Sequence, residues 1–178
     1  AVALSSSFPP GVEPQEVVAL CRALANQGRI VYLDTSGAAL AAVLRAPPGI
    51  CIKVNAHEFL DAWGTDGDLL TIARSVLDRG AVAVVITLGA EGALCLTPEG
   101  GWKASAPQVE VKSSVGSGDA LLAGLATSRL KEESWATALR RGVACGSANA
   151  TADQPAHFNE TLVFALESKV SIQRLGSL

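Results

Sequence analysis

The chain has 178 residues, of which 49% are hydrophobic and 17% are charged, and its formal net charge is -3. This length and apolar fraction predict one domain with a buried core. The mildly acidic balance, without a block of Lys or Arg, argues against nucleic acid or an anionic membrane as the main partner.

Neither a membrane span nor a secretory signal is evident in the sequence. No stretch is long and apolar enough to cross a bilayer, and the apolar residues 1–5 lack the charged flank of a signal peptide. The four cysteines form no C-x-x-C pair, so we expect buried free thiols and not a zinc or redox site; they are Cys21, Cys51, Cys95 and Cys145. We therefore expect a cytoplasmic protein.

In chain order, apolar β-branched runs alternate with helical patterns, which is typical of a parallel sheet covered by helices. The first residues predict a strand that runs into the turn Phe8-Pro9-Pro10-Gly11. Further strands are predicted at 30–33, 50–54, 82–87 and 170–175. Helices are predicted at 14–27 and 37–44, from about residue 55, and at 68–77, 119–130, 135–150 and 159–166.

A different pattern lies between Gly92 and Val111, where short strands and turn residues predict a small antiparallel hairpin at the sheet edge. The whole pattern predicts an α/β fold in a single domain over residues 1–178. We expect a three-layer arrangement, in which a sheet of mainly parallel strands carries helices on both faces.

The stretch Gly116-Ser117-Gly118-Asp119 stands at the start of a predicted helix. Glycines let successive backbone N–H groups turn toward one point, and a helix N-terminus adds positive potential, so a phosphoryl group would fit there. The same potential favours a carboxylate at Asp119, which can accept a proton from an attacking hydroxyl. The alternatives are a tight turn without a ligand and a helix-capping role for Asp119.

Other glycine motifs do not fit this stretch. A dinucleotide-binding fingerprint needs a third glycine where Leu121 stands, and a P-loop needs Gly-Lys-Ser or Gly-Lys-Thr. A nucleophile elbow needs one residue between its serine and each glycine, whereas Ser117 adjoins both. The interpretation that remains is an anion-binding turn followed by an acid.

Five stretches, spread in order along nearly the whole chain, carry a family likeness. They are LSSSFPPGV, YLDTSGAAL, KVNAHE, VVITLGAEGALCL and SSVGSGDALLAGL. Together they resemble the ribokinase-like carbohydrate kinases, or PfkB family, and the first two are similar to segments of its phosphofructokinase and tagatose-phosphate kinase members. The resemblance implies a ribokinase-like fold and ATP-dependent phosphoryl transfer to the primary hydroxyl of a sugar phosphate, with fructose 1-phosphate as the leading acceptor.

The resemblance also implies roles for the glycine stretch. Asp119 would be the catalytic base that takes the proton of the sugar hydroxyl. The backbone N–H groups around Gly116, Ser117 and Gly118 would stabilise the transferring phosphoryl.

For the metal and the nucleotide, the resemblance points to other parts of the chain. Asn55 and Glu58, three residues apart on one helical face, would organise Mg²⁺ near the ATP phosphates. A helix-capping pair is the alternative for these two residues. The other residues implied for the ATP site are Thr87, Gly89, Gly92 and Asn149. Asn149 would lie near the adenine, although its small-residue helix also suits close packing on a neighbour.

The sequence departs from the family pattern at Ser6, Val54 and Leu121, where glycine, proline and an aromatic or polar residue are usual. The family's first portion, with the lid strands and early glycine segments that hold the sugar, has no counterpart in this sequence. We therefore expect the C-terminal portion of a longer kinase, which in the family often pairs through the lid strands into a homodimer. The alternatives are a non-catalytic nucleotide-binding fragment and a kinase of tagatose 6-phosphate or another sugar.

Overall fold

The computed structural model describes residues 1–5 and 7–176. Ser6, one of the departures from the family pattern, lies outside the described residues. The described chain divides into two compact units, the first with residues 1–5, 7–87 and 96–101 and the second with residues 88–95 and 102–176. The number of domains stays a prediction.

The first unit is an alternation of strands and helices. Its strands are β1 (Val2–Ser5), β2 (Val31–Asp34), β3 (Cys51–Asn55) and β4 (Ala83–Thr87). Its helices are α1 (Pro14–Asn26), α2 (Gly37–Arg45), α3 (Ala56–Trp63) and α4 (Leu69–Asp78). The bounds predicted from the sequence for α1, α2, α4 and β2 to β4 hold to within two residues at each end, and α3 begins one residue after the predicted start.

Strands β1 to β4 are neighbours in chain order and all parallel. Because crossovers between parallel strands are right-handed, this order puts the four connecting helices on one face of the four strands. The helices accordingly pack against each other in sequence, α1 on α2, α2 on α3 and α3 on α4. The parallel direction also brings the carboxyl ends of the strands to one edge, where Asp34, Asn55 and Thr87 end β2, β3 and β4.

The central strands of the first unit are buried on both faces. In β4, consecutive residues from Ala83 to Ile86 are each 0% exposed, although their side chains alternate between the two faces. The continuous apolar run of residues 82–86 in the sequence is typical of a strand buried in this way. Phe59 of α3 is also 0% exposed.

The predicted hairpin is present. Pro98 and Glu99 join β5 (Ala93–Thr97) to its neighbour β6 (Gly100–Ser105), and so short a connection makes the two strands antiparallel. One more strand, β7 (Ser171–Arg174), pairs antiparallel with β6 and is the last in the strand order. The closing strand predicted near the end of the sequence is thus confirmed, and it lies outside the hairpin.

The second unit holds α5 (Ser117–Leu130), α6 (Trp135–Ala150) and α7 (Glu160–Glu167). Helices α5 and α6 approach closely, because glycines stand at their contact. A Cβ added at Gly124 would lie 2.7 Å from Cys145 Sγ, and one added at Gly142 would lie 2.9 Å from the Leu121 carbonyl oxygen. The small-residue pattern of α6 therefore serves tight helix packing.

The four cysteines are buried, as predicted. Burial raises the pKa of the Cys21 and Cys145 thiols above their ordinary value. In the part of the chain that the structure describes, no helix combines the length and the apolar character that a membrane span requires.

Candidate functional site

The turn that begins α5, residues 116–119, is called the glycine turn below. Gly116 adopts a left-handed conformation with φ 79° and occupies the N-cap position. The helix begins at Ser117, two residues earlier than predicted. A glycine is suited to this place because other residues rarely adopt a positive φ.

The glycine turn carries backbone donors at a helix N-terminus. The N–H of Ser117 is already donated to the Ser114 carbonyl oxygen at 3.1 Å. Among the described residues, no protein acceptor is found for the N–H groups of Gly116 and Gly118. These two donors, and not all three N–H groups expected from the sequence, are the ones that an anion can use.

Asp119 is the third residue of α5, and its side chain is exposed to solvent. The capping position belongs to Gly116, so Asp119 is not the N-cap residue. A carboxylate here lies in the positive potential of the helix N-terminus and within one helical turn of the unpaired N–H groups. The geometry places an exposed acid beside two backbone N–H donors, which is an arrangement that suits proton abstraction next to a phosphoryl group.

Asn149, in the last turn of α6, contacts the glycine turn. Its Nδ2 donates to the Val115 carbonyl oxygen at 2.8 Å and to Ser117 Oγ at 3.1 Å, and its Oδ1 accepts from the Ala156 N–H at 2.8 Å. The residue is 1% exposed. Both amide hydrogens are used within the protein, and the position of Asn149 near the adenine stays a prediction.

Gly92 stands at a close approach within the protein's own backbone. It is buried with φ 106°, and a Cβ added to it would lie 2.0 Å from the Ala104 carbonyl oxygen and 2.8 Å from the Ala106 nitrogen. This backbone contact requires glycine by itself, and the place of Gly92 in an ATP site stays a prediction. Gly89 is exposed and starts the short 3₁₀ helix Gly89–Glu91.

In the first unit, the structure brings three of the predicted residues to the carboxyl edge of the strands. Asn55 ends β3 and pairs in register with Thr87, which ends β4. Asn55 Oδ1 accepts from the Glu58 N–H at 2.8 Å, so Asn55 is the N-cap of α3, as the capping alternative predicted. Glu58 is half-buried in the first turn of the same helix.

A buried ion pair at this edge was missed by the sequence reasoning. Lys53, only 6% exposed, lies in β3 and contacts Asp34 of β2, with Lys53 Nζ 2.6 Å from Asp34 Oδ2. The two residues are register partners on neighbouring strands. The sequence contained a sign of it, because a lysine interrupts the apolar strand CIKV, and a buried charge requires a partner.

The donor set of Asn55 and Glu58 fits a magnesium ion. Asn55 Oδ1 keeps a second lone pair beyond its bond to the Glu58 N–H. Within the described residues, no protein donor is found for the Glu58 carboxylate, and no group of three or more His, Cys, Asp and Glu side chains suits a metal. Because magnesium keeps several waters and binds through few protein oxygens, one carboxylate and one amide suffice when phosphate oxygens supply the rest.

The parallel strands, their helices and an acid that follows a glycine turn at a helix N-terminus define an α/β protein of the ribokinase-like kind. Residues 1–162 match the model of the pfkB family carbohydrate kinases, so the chain belongs to the PfkB family. The resemblance inferred from the five sequence stretches is thereby confirmed.

Two curated relatives and one solved structure illustrate the likeness. The 1-phosphofructokinase of Escherichia coli is 32% identical over 177 residues, which cover 97% of this chain and 56% of the relative. The 1-phosphofructokinase of Xanthomonas campestris is 41% identical over 140 residues, covering 74% of this chain and 43% of the relative. The structure of phosphofructokinase-2 from Escherichia coli in complex with potassium has a TM-score of 0.86 at 27% identity, covering 94% of this chain and 56% of that chain. The chain thus spans about half the length of these relatives.

Proposed function

We propose that the natural protein carrying this chain is an ATP-dependent kinase of a sugar phosphate. The acceptor proposed is the free primary hydroxyl of fructose 1-phosphate, and the product is fructose 1,6-bisphosphate. The observation that carries the proposal is the glycine turn, where two unpaired backbone N–H groups precede the exposed carboxylate of Asp119. The names of the relatives support the choice of acceptor.

Three residues of the glycine turn, Gly116, Gly118 and Asp119, have defined tasks in this proposal. Asp119 accepts the proton of the attacking sugar hydroxyl. As it does so, the hydroxyl oxygen forms its bond to the γ-phosphorus of ATP, and the bond from that phosphorus to the leaving ADP breaks. The N–H groups of Gly116 and Gly118 donate to the phosphoryl oxygens, where negative charge is spread in the transition state. A positioned base of this kind contributes about 100-fold or more to turnover.

We assign Mg²⁺ to Asn55 and Glu58, and the nucleotide side of the site to Thr87 and Gly89. Magnesium, when bound, neutralises phosphate charge. The proposal places the protein in the cytoplasm and allows a homodimer of the full-length protein. A kinase of tagatose 6-phosphate, or of another sugar, is the alternative within the same chemistry.

The test is magnesium-dependent ATP turnover by the natural protein with a panel of acceptors that includes fructose 1-phosphate, fructose 6-phosphate and tagatose 6-phosphate. We expect the highest kcat/KM with fructose 1-phosphate. A higher kcat/KM with another acceptor would show that this other sugar phosphate is the substrate. Absence of turnover with every acceptor would reject the kinase and favour a non-catalytic nucleotide-binding role.

A substitution then tests the assignment of the base. Asp119→Asn keeps the shape of the side chain and removes its basicity, so we expect kcat to fall at least about 100-fold. Asp78→Asn, at an exposed position at the end of α4, is the matched control and should leave kcat unchanged. Nearly full activity of Asp119→Asn would show that another group accepts the proton.

A further inference from the structure

We propose that Asn149 is a positioning residue, which holds the glycine turn in its active conformation without contacting the nucleotide. The inference rests on the proposed kinase function for its catalytic consequence. Its structural consequence, a less fixed glycine turn, rests on geometry alone. The effect on turnover and the effect on the turn can therefore be tested separately.

The amide of Asn149 spans Gly116. Its Nδ2 reaches the carbonyl oxygen of Val115 on one side and Ser117 Oγ on the other, at 2.8 Å and 3.1 Å. Each contact uses one of the two amide hydrogens, and together they fix the residues that flank the left-handed glycine. A side chain that bonds both neighbours of Gly116 restricts the direction in which its N–H points.

The orientation of the amide follows from its surroundings. Oδ1 faces the N–H of Ala156 at 2.8 Å, which is a donor, while Nδ2 faces the Val115 carbonyl oxygen, which is an acceptor. Exchanging the oxygen and the nitrogen would break both bonds and bring like groups together. The amide therefore has one orientation, and it links α6, the glycine turn and the segment that precedes α7.

Little apolar packing holds the glycine turn, whose own backbone bonds run from the Ser117 N–H to the Ser114 carbonyl oxygen at 3.1 Å and from the Ala120 N–H to the Gly116 carbonyl oxygen at 2.9 Å. Val115 is 66% exposed, and Gly116 has no side chain to pack. A Cβ added at Gly116 would lie 3.1 Å from Pro155 Cβ, so the turn is close to the same segment that Asn149 holds through Ala156. Asn149 itself is 1% exposed. The hydrogen bonds of a buried, fixed side chain thus substitute for the apolar packing that an exposed turn lacks.

A loss of position should affect the transition state more than the ground state. The N–H groups of the turn act on the charge that develops during transfer, and displacement of such groups by about 1 Å costs roughly 100-fold in rate. We therefore expect Asn149→Ala to lower kcat about 10-fold to 100-fold while KM for ATP changes less than about 3-fold. A direct contact with the nucleotide would give the opposite result, a raised KM with kcat unchanged.

Two further variants make the test specific. Asn149→Asp keeps the shape and the acceptor for the Ala156 N–H but loses both N–H donors, so kcat should fall as in Asn149→Ala. Asn149→Asp can also replace Asn149→Ala in the test if the alanine variant does not fold. Asn159→Ala is the matched control, because Asn159 caps α7 through the Leu162 N–H at 2.8 Å. It should keep kcat within about 3-fold of the unsubstituted protein.

Hydrogen exchange of the ligand-free natural protein provides a readout that does not depend on activity. We expect the hydrogen-bonded amides of the turn, those of Ser117 and Ala120, to exchange at least about 10-fold faster in Asn149→Ala and in Asn149→Asp, and at the rate of the unsubstituted protein in Asn159→Ala. If the protein transfers no phosphoryl group to any acceptor, the proposed function fails and this arm alone decides the inference. Unchanged exchange at the turn, unchanged kcat or a rise confined to KM for ATP would each overturn the positioning role.

Discussion

Gly142→Ala tests whether the contact between α5 and α6 depends on glycine. The added Cβ would lie 2.9 Å from the Leu121 carbonyl oxygen and 3.3 Å from both Leu121 Cγ and Leu125 Cβ. The nearest of these atoms belongs to backbone, so the helix as a whole must shift. Overpacking of this kind lowers the free energy of unfolding by about 3 kcal/mol at the upper end of its range. The higher helix propensity of alanine raises it by about 1 kcal/mol. We expect the free energy of unfolding to fall by about 2 kcal/mol.

Urea unfolding measures the loss, and Gly146→Ala is the control. A Cβ at Gly146 would lie 3.1 Å from the Ser117 carbonyl oxygen and 3.5 Å from Leu121 Cβ, a milder overlap. Its cost of about 1 kcal/mol is offset by the same gain in helix propensity, so this variant should unfold near the midpoint of the unsubstituted protein. Equal or greater stability of Gly142→Ala than of Gly146→Ala would refute the reasoning about the helix contact.

Two predictions concern other parts of the fold. Gly92→Ala should lower the free energy of unfolding by at least about 3 kcal/mol, because φ is 106° and the new Cβ would lie 2.0 Å from the Ala104 carbonyl oxygen. Gly89→Ala, with φ 60° and no atom within 4 Å of the new Cβ, should lower the free energy of unfolding by only about 1 kcal/mol. Equal losses for the two variants in urea unfolding would show that the backbone contact at Gly92 does not matter. The side-chain and backbone hydrogen bonds that Asp68 accepts at the α4 N-cap lower its pKa. This stabilisation is present above the pKa of the unfolded state and is lost as pH falls through the lower folded-state pKa. The unsubstituted protein should therefore exceed Asp68→Ala in thermal midpoint by less at pH 3 than at pH 7. A difference that stays constant over this range would contradict the prediction.

The elements of the fold could be predicted from the sequence because their causes are local. The apolar run before Thr87 predicts a strand buried on both faces, and the strand is buried as expected. The start of α5 was placed two residues late, because the sequence shows that Gly116 can adopt a left-handed conformation but not that it does.

The parts of the site that were missed depend on contacts between distant residues. Asn149 is 34 positions from Val115, so nothing near it in the sequence indicates that its amide will reach the glycine turn. Lys53 and Asp34 are separated by 19 positions and meet only through the register of β2 and β3. The pattern of residue types in the sequence predicts which side chains could take part in the site. Their hydrogen-bond partners follow from tertiary packing alone.

The close packing of α5 on α6 and the chemistry of the glycine turn have one structural origin. Within the described residues, the Gly116 and Gly118 N–H groups have no protein acceptor, so the backbone of the turn is held only through the Ser117 and Ala120 N–H groups. Neighbours add to its rigidity: Asn149 near the end of α6 holds the turn by hydrogen bonds, and Gly146 lets the Ser117 carbonyl approach the same helix. Donors fixed in advance of the reaction need no reorganisation when charge develops on the phosphoryl group. The glycines of α6 thus contribute to the proposed catalysis through packing, because a bulkier helix would hold Asn149 too far from the turn to bond it.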